Sequence, residues 1–350
     1  MKKSIGISIL LTMLLLVGFN LPAIAESPIN PGGPFITPEQ NVSTESILTY
    51  EEIEAMLFQL EKISKGKMTL ETVGYTTYGL PLYAAVIGNG ETRMWIQGRI
   101  HGGERYGAEA SLSILSSLLN SKKKVLDEMT FMIIPCYNPD GSNIGWRGNA
   151  NRVDLNRNWH RTDAFSFSEP ESRAFYYAWE DFQPHYAIDL HHQGTYYVED
   201  EEEEDTNEMT TFSIGIPVWP EFLEPWIWDS NRRMAVVGYD AVRALGFVNP
   251  TRYPLINIHN AVVSSMMLGN PGPDGEDPGW KTAAMFFETR SVGQKSRGYL
   301  IKQNIVAVSA IIDAIASGEL SAVDEERWDE IPDRGRSIRT SHKWPNDWAE

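Results

Sequence analysis

Apolar residues along this chain follow two alternating periods. Ile53, Met56, Leu57, Leu60 and Ile63 share one helical face. Thr49 and Glu52 precede that face with the spacing of a capping box, and Gly66 ends it. Short strands are predicted at 68–73 and 82–87. The chain then alternates: strand 94–100, helix 106–119, strand 129–136, helix near 170–182, strand 185–190, helix near 229–245, strand 283–288 and helix 298–317. Strands separated by helices predict an α/β domain with a mainly parallel or mixed sheet. Pro139-Asp140-Gly141, Pro217, Pro220 and the Pro/Gly-rich stretch 270–275 punctuate its long loops, and no internal repeat is visible.

The two ends of the chain read differently from its middle. Lys2 and Lys3, the apolar stretch 5–19 and Ala23-Ile24-Ala25 form a secretory signal pattern over 1–25. Gly6, Ser8 and Thr12 interrupt that stretch, which is short for a membrane span. The expectation is a secreted, extracellular protein that begins near Glu26 and has no membrane span once the signal is removed. Residues 26–44 are rich in Pro, Gly, Ser and Asn and predict an irregular arm. The globular domain is expected over 45–318, followed by a tail, 319–350, that carries Trp328, Trp344 and Trp348 among charged residues.

Two lysines and no acid leave with the signal, so the net charge moves from −17 to −19. That charge excludes nucleic acid and anionic membranes as partners. The one cysteine, Cys136, excludes an internal disulfide and reads as a small buried hydrophobe. Stability must then come from a large core, which a chain with 42% hydrophobic residues can supply.

Ligands of open α/β sheets bind beyond the carboxyl ends of the strands. His101-Gly102-Gly103-Glu104 follows the strand at 94–100, at a turn loosened by two glycines. Imidazole and carboxylate donors three residues apart suit zinc. His191 follows the strand at 185–190, and His192 should point to the opposite side. Glu288 ends the strand at 283–288. Three protein ligands would leave a fourth zinc position for water, which marks a catalytic site. A nearby carboxylate such as Glu288 could then move the proton. Arg147 and Arg157, in the long polar loop between these elements, suit a carboxylate grip or a developing oxyanion.

In the order His101/Glu104, Asn138–Gly141, Trp146-Arg147, Asn156-Arg157-Asn158-Trp159, His191 and Phe287-Glu288-Thr289-Arg290 with Gly293, the chain resembles the zinc metallocarboxypeptidases, or funnelins. The segment 50–88, with Tyr78-Gly79-Leu80-Pro81-Leu82, also resembles the start of that family's catalytic domain. The resemblance implies a mixed eight-stranded sheet flanked by helices, as a single catalytic domain. It implies one Zn2+ per chain, held by His101, Glu104 and His191, with Glu288 as general base and acid. Arg147 would polarise the scissile carbonyl, and Asn156 and Arg157 would hold the substrate's terminal carboxylate. The family's lid tyrosine has no counterpart in 264–281, and Tyr253 lies far back in sequence.

The implied activity is hydrolysis of the C-terminal bond of peptides or proteins through a metal-activated water. Two alternatives stay open. One is cleavage of γ-D-glutamyl-diaminopimelate bonds in cell-wall peptides with the same zinc machinery. The other is a non-catalytic protein that binds zinc or peptide. Two surface features also have double readings. The acidic run 199–205 is either a solvated loop or an attractor of basic substrates, with calcium binding a third reading. Trp219, Trp226 and Trp228 either pack a loop onto the domain or stack on sugars.

Overall fold

The computed structural model describes residues 47–120, 124–159, 167–199, 208–254, 256–269, 271, 279–290 and 296–338. The expected signal and arm, the acidic run beyond Glu199, Gly293, Trp344 and Trp348 lie outside the described residues. Helix α1 (Tyr50–Ser64) starts at the anticipated capping box, with both reciprocal hydrogen bonds between Thr49 and Glu52 present. Ile53, Leu57 and Leu60 are buried, whereas Ile63 is 54% exposed and falls off the buried face. Lys65 ends the helix in the left-handed conformation.

Strands β1 (Met68–Tyr75), β2 (Pro81–Gly88), β3 (Thr92–Gly98), β4 (Met129–Ile134) and β5 (Tyr186–Gln193) follow. They alternate with helices α2 (Gly107–Asn120), α3 (Lys124–Glu128), α4 (Pro139–Ile144) and α5 (Pro170–Phe182). The short strands β6 (Tyr196–Val198) and β7 (Phe212–Gly215) come next, then α6 (Pro225–Ala244), β8 (Pro250–Arg252), α7 (Val262–Leu268), β9 (Ala283–Arg290) and α8 (Arg297–Ser317). The main sheet has eight strands in the order β1-β2-β4-β3-β5-β9-β7-β8. Its centre, β4-β3-β5-β9, is parallel, while β2 and β7 run antiparallel to their inner neighbours. The sheet is therefore mixed, as the resemblance implied.

Central strands covered on both faces are nearly continuous in apolar residues. Met94, Trp95 and Ile96 of β3, Ile188 of β5 and Met285 and Phe287 of β9 are fully buried. Helix α8 is long and apolar enough to cross a membrane, but Leu300, Ile301, Val308 and Ile311 are buried in the same core. Cys136 is buried too. Trp219 and Trp226 remain over 40% exposed, whereas Trp228 is half-buried with Arg232 over its ring.

The chain after α8 stays structured as far as Ser337. Two 3-10 segments bury Leu320 and Trp328, and β10 (Arg334–Ser337) pairs with β6 in a separate two-stranded sheet. Arg252 holds this segment through Asp333, with Nε–Oδ1 and Nη2–Oδ2 distances of 2.7 and 3.0 Å.

Candidate active site

His101 stands just beyond β3, His191 lies near the end of β5 and Glu288 near the end of β9. Since β3, β5 and β9 are consecutive parallel neighbours, their carboxyl ends share one edge of the sheet. The pairing register sets His191 directly beside Glu288.

The His101 turn is held from several sides. Arg99 adopts φ 56° and Tyr106 φ 77°, a conformation that L-residues rarely enter unless neighbours enforce it. Arg99 donates to Glu109 at 2.7 Å, in an ion pair that is buried on both sides. Glu109 in turn accepts from the Tyr106 amide at 3.0 Å. Gly102 is needed because a Cβ there would stand 2.1 Å from the carbonyl carbon of Gly141. The Asn138–Gly141 block thus has a structural part to play. Asn138 Nδ2 donates to Ile100 O and Arg147 O, and its Oδ1 accepts from Gly141 N. The amides of Gly102 and Gly103 donate to the carbonyls of Arg147 and Trp146, which ties the His101 turn to the arginine loop.

Donor atoms of His101, Glu104 and His191 all lie within 4.8 Å of one another. His101 Nδ1 is 2.5 Å from Glu104 Oε1, and His191 Nδ1 is 2.9 Å from Glu104 Oε2. Each ring also has a second carboxylate on its far side. Asp189 Oδ2 is 2.9 Å from His191 Nε2, and Asp154 Oδ1 is 3.2 Å from His101 Nε2 without the alignment of a hydrogen bond. A neutral imidazole has one N–H, so neither ring can donate to a carboxylate at both nitrogens. Two such rings around one carboxylate require extra protons or a cation in the centre. With Nε2–H turned to Asp189 or Asp154, both Nδ1 lone pairs converge with Glu104, the donor set and backing carboxylates that zinc takes.

The protonation equilibria follow from the same contacts. Burial alone would lower both histidines, but Asp189 and Glu104 raise His191, and Glu104 and Asp154 raise His101. Glu104 is held well below the usual carboxylate range by the two rings, although burial opposes this. Asp154 is likewise held low, against its burial, by His101, Arg147 and Arg157. Glu288 behaves in the opposite way. Burial pushes it up to about 7, with His191 the main opposing influence, and its buried Oε2 has no hydrogen-bond partner.

All seven residues expected from the sequence fall in or beside one cleft. His101, His191, Glu288, Arg147, Asn156 and Arg157 line it, and Glu104 lies behind the two histidines. Arg147 is fastened to Asp154 at 3.0 Å and stands 3.7 Å from Glu104. Asn156 Oδ1 accepts from Val262 N at 2.9 Å, the first amide of α7, where Ala261 supplies no side-chain cap. That bond fixes the amide orientation and leaves Nδ2 as the donor towards the cleft. Arg157 Nη1 is held by the Asn156 carbonyl at 2.7 Å. His192 turns away as expected, edge-on to Tyr106, while its backbone amide donates to Glu104.

Two groups of site residues were not anticipated. Asp154 and Asp189 carry no motif of their own, although Asp189 lies two positions before His191 on a strand and so faces the same side. Tyr253 lies 35 positions before Glu288, yet it lines the cleft with Pro217, Ile256, Ile258, Ala261, Val263 and Phe286.

Comparison with known proteins shows what the chain is similar to. The family model described as zinc carboxypeptidase matches residues 53–211. A probable carboxypeptidase 2 of Trichophyton verrucosum is 33% identical over 102 residues, which is 28% of this chain and 19% of that protein. The chain therefore spans about a fifth of the length of this curated relative. Among solved structures, the carboxypeptidase A of Helicoverpa armigera superposes with a TM-score of 0.57 at 17% identity, covering 78% of this chain and 75% of that one. A metallo-carboxypeptidase of Burkholderia cenocepacia gives 0.54 at 18% identity, covering 77% and 70%. The solved structures share the fold.

Proposed function

We propose that this chain, a member of the zinc carboxypeptidase family, is a secreted zinc exopeptidase that releases single residues from the C-termini of peptides or proteins. The observation that carries this reading is the convergence of two histidine Nδ1 atoms and the Glu104 carboxylate beside Glu288. Three side chains able to bind anions line the same cleft. Held by His101, Glu104 and His191, zinc would supply a Lewis acid for the scissile carbonyl and make a nearby water reactive around neutral pH.

The remaining chemistry belongs to the chain. Glu288 takes the proton of the attacking water and returns it to the leaving amine. Burial raises its equilibrium above the usual carboxylate range, and its Oε2 has no hydrogen-bond partner, which suits both halves of that transfer. Arg147, anchored on Asp154, donates to the oxygen on which negative charge develops. Asn156 Nδ2 and the Arg157 guanidinium receive the terminal carboxylate. The cavity measures about 140 Å³, close to the size that holds a benzene-sized group. Its lining sets Ile256, Ile258, Val263 and Phe286 beside the charged and polar groups of Arg147, Arg157, Asn156 and Glu288.

The test is a product profile. Zinc-loaded protein is incubated with peptides that differ only in their last residue and, separately, with cell-wall peptides, and products are identified by mass. Stepwise release of C-terminal residues, abolished by a chelator, supports the reading. Release confined to cell-wall peptides, internal cleavage, or no release overturns it. Secretion is tested by N-terminal sequencing of protein recovered outside the cells. A mature start near Glu26 is expected, and full-length protein retained inside refutes it.

A further inference from the structure

We infer that Arg334, which lies beyond the last helix of the expected catalytic domain, is a positioning residue for the cleft. This inference rests on the proposed roles of Glu288 and the cleft. Arg334 is only 8% exposed although it sits in the short strand β10. Its guanidinium lies between two tyrosine rings, 3.9 Å from the centroid of Tyr196 and 3.7 Å from that of Tyr253. Tyr253 meets Phe286 edge-on at 5.0 Å, and Phe286 meets His191 edge-on at 6.0 Å. An unbroken stack thus runs from Tyr196 through Arg334, Tyr253 and Phe286 to a candidate metal ligand. Two of its members, Tyr253 and Phe286, are walls of the cleft.

A second connection reaches the candidate base. Arg334 Nη1 donates to Gln193 Oε1 at 2.6 Å. A guanidinium can only donate, so this bond fixes which end of the Gln193 amide is oxygen. The other end, Nε2, then donates to the backbone carbonyl of Glu288 at 3.0 Å and to Ser213 Oγ at 2.8 Å. Arg334 therefore holds the backbone that carries Glu288 from one side and the pocket wall from the other. Among the described residues its close partners are aromatic faces and an amide. A flat, delocalised cation suits such a slot, and a lysine ammonium would fill it poorly. The segment itself is locked in place by Trp328, Arg252 and Asp333.

The experiment compares Arg334→Ala, Arg334→Lys and Arg327→Ala with the parent. Arg327 lies in the same segment, 42% exposed on the side chain and paired with Asp240, so its loss should leave turnover as in the parent. In Arg334→Ala, kcat should fall about tenfold to a hundredfold at unchanged zinc content, as for slightly misplaced reacting groups. Methylguanidinium in the tens of millimolar should restore part of that loss without moving the melting temperature. Arg334→Lys should remain impaired, and it serves the same comparison if the alanine variant is not recovered folded.

Hydrogen exchange supplies a readout independent of activity. Amides of 251–253 and 286–290 should exchange faster in the Arg334 variants, with β3 unchanged. Parent-like kcat together with parent-like exchange overturns the inference, and so does an equal loss in Arg327→Ala. If the parent itself releases no C-terminal residue, the functional reading fails, and the exchange comparison alone decides the role of Arg334.

Discussion

Replacing Asp189 by Asn should weaken zinc binding while leaving the fold and the two imidazole rings in place. Asp189 is fully buried, its Oδ2 is 2.9 Å from His191 Nε2, and its Oδ1 has no partner of its own. The asparagine amide can turn its NH2 towards Nε2, which favours the tautomer protonated at Nδ1 and withdraws that lone pair from the centre. Loss of such a backing partner typically costs tenfold to a hundredfold in metal affinity, or about 1.4 to 2.7 kcal/mol. The burial and short contact of Asp189 place this variant near the upper end of that range. Asp154→Asn should fall near the lower end, because the Asp154 side chain is 27% exposed and its contact with His101 is longer and misaligned. Competition against a fluorescent zinc chelator gives both dissociation constants, and kcat of Asp189→Asn at saturating zinc should stay within about threefold of the parent, whereas Asp154→Asn should also lose turnover because Asp154 anchors Arg147. An Asp189→Asn affinity within threefold of the parent, or a larger loss in Asp154→Asn, would refute this account of how the rings are oriented.

Glu288→Gln should retain zinc and lose about 10²–10⁴-fold in kcat, the usual contribution of a general base. Turnover near the parent level removes Glu288 from that role. The pH dependence follows in sign, because the reactive form is the carboxylate, so kcat/KM should fall as pH drops through the Glu288 equilibrium. Burial sets that equilibrium at about 7 without a cation, and a cation beside it pulls it lower. The acid limb of the zinc-loaded enzyme should therefore lie below 7, and a limb centred above it contradicts the assignment. Arg147→Ala should lower kcat by about 10²–10³-fold with a smaller change in KM, as for a lost oxyanion donor. A pure KM effect would make Arg147 a binding residue instead.

What was legible in the chain and what was not divide along physical lines. Strong periodic segments such as 53–60 and 298–317 announced their helices because one face had to be buried. The strand ends at His101, His191 and Glu288 could be read because a parallel sheet gathers its functional groups at one edge. Strands β7 and β8, four and three residues long, are too brief to display a period. Helix α7 borrows its N-terminal hydrogen bond from Asn156, 106 residues earlier, so no local capping signal exists. The turn expected at Pro139 became the short helix α4 because Asn138 caps it and a proline is welcome in the first helical turn.

Tyr253 and Arg334 mark the sharper boundary of sequence reasoning. Sequence distance from Glu288 separates Tyr253 from the reacting groups, but β8 pairs with β7 and β7 with β9, which returns Tyr253 to the cleft. Arg334 sits in a charged stretch whose composition resembles any solvated tail, and only the β10–β6 pairing turns it inward. Both reach the site through strand pairing, which local composition does not encode. Metal ligands are constrained by coordination chemistry to a few residue types at strand ends. The residues that hold a cleft in shape are constrained only by where the chain passes. A search for further determinants of this cleft should therefore follow the strands that return to β9 rather than the motifs that define its metal centre.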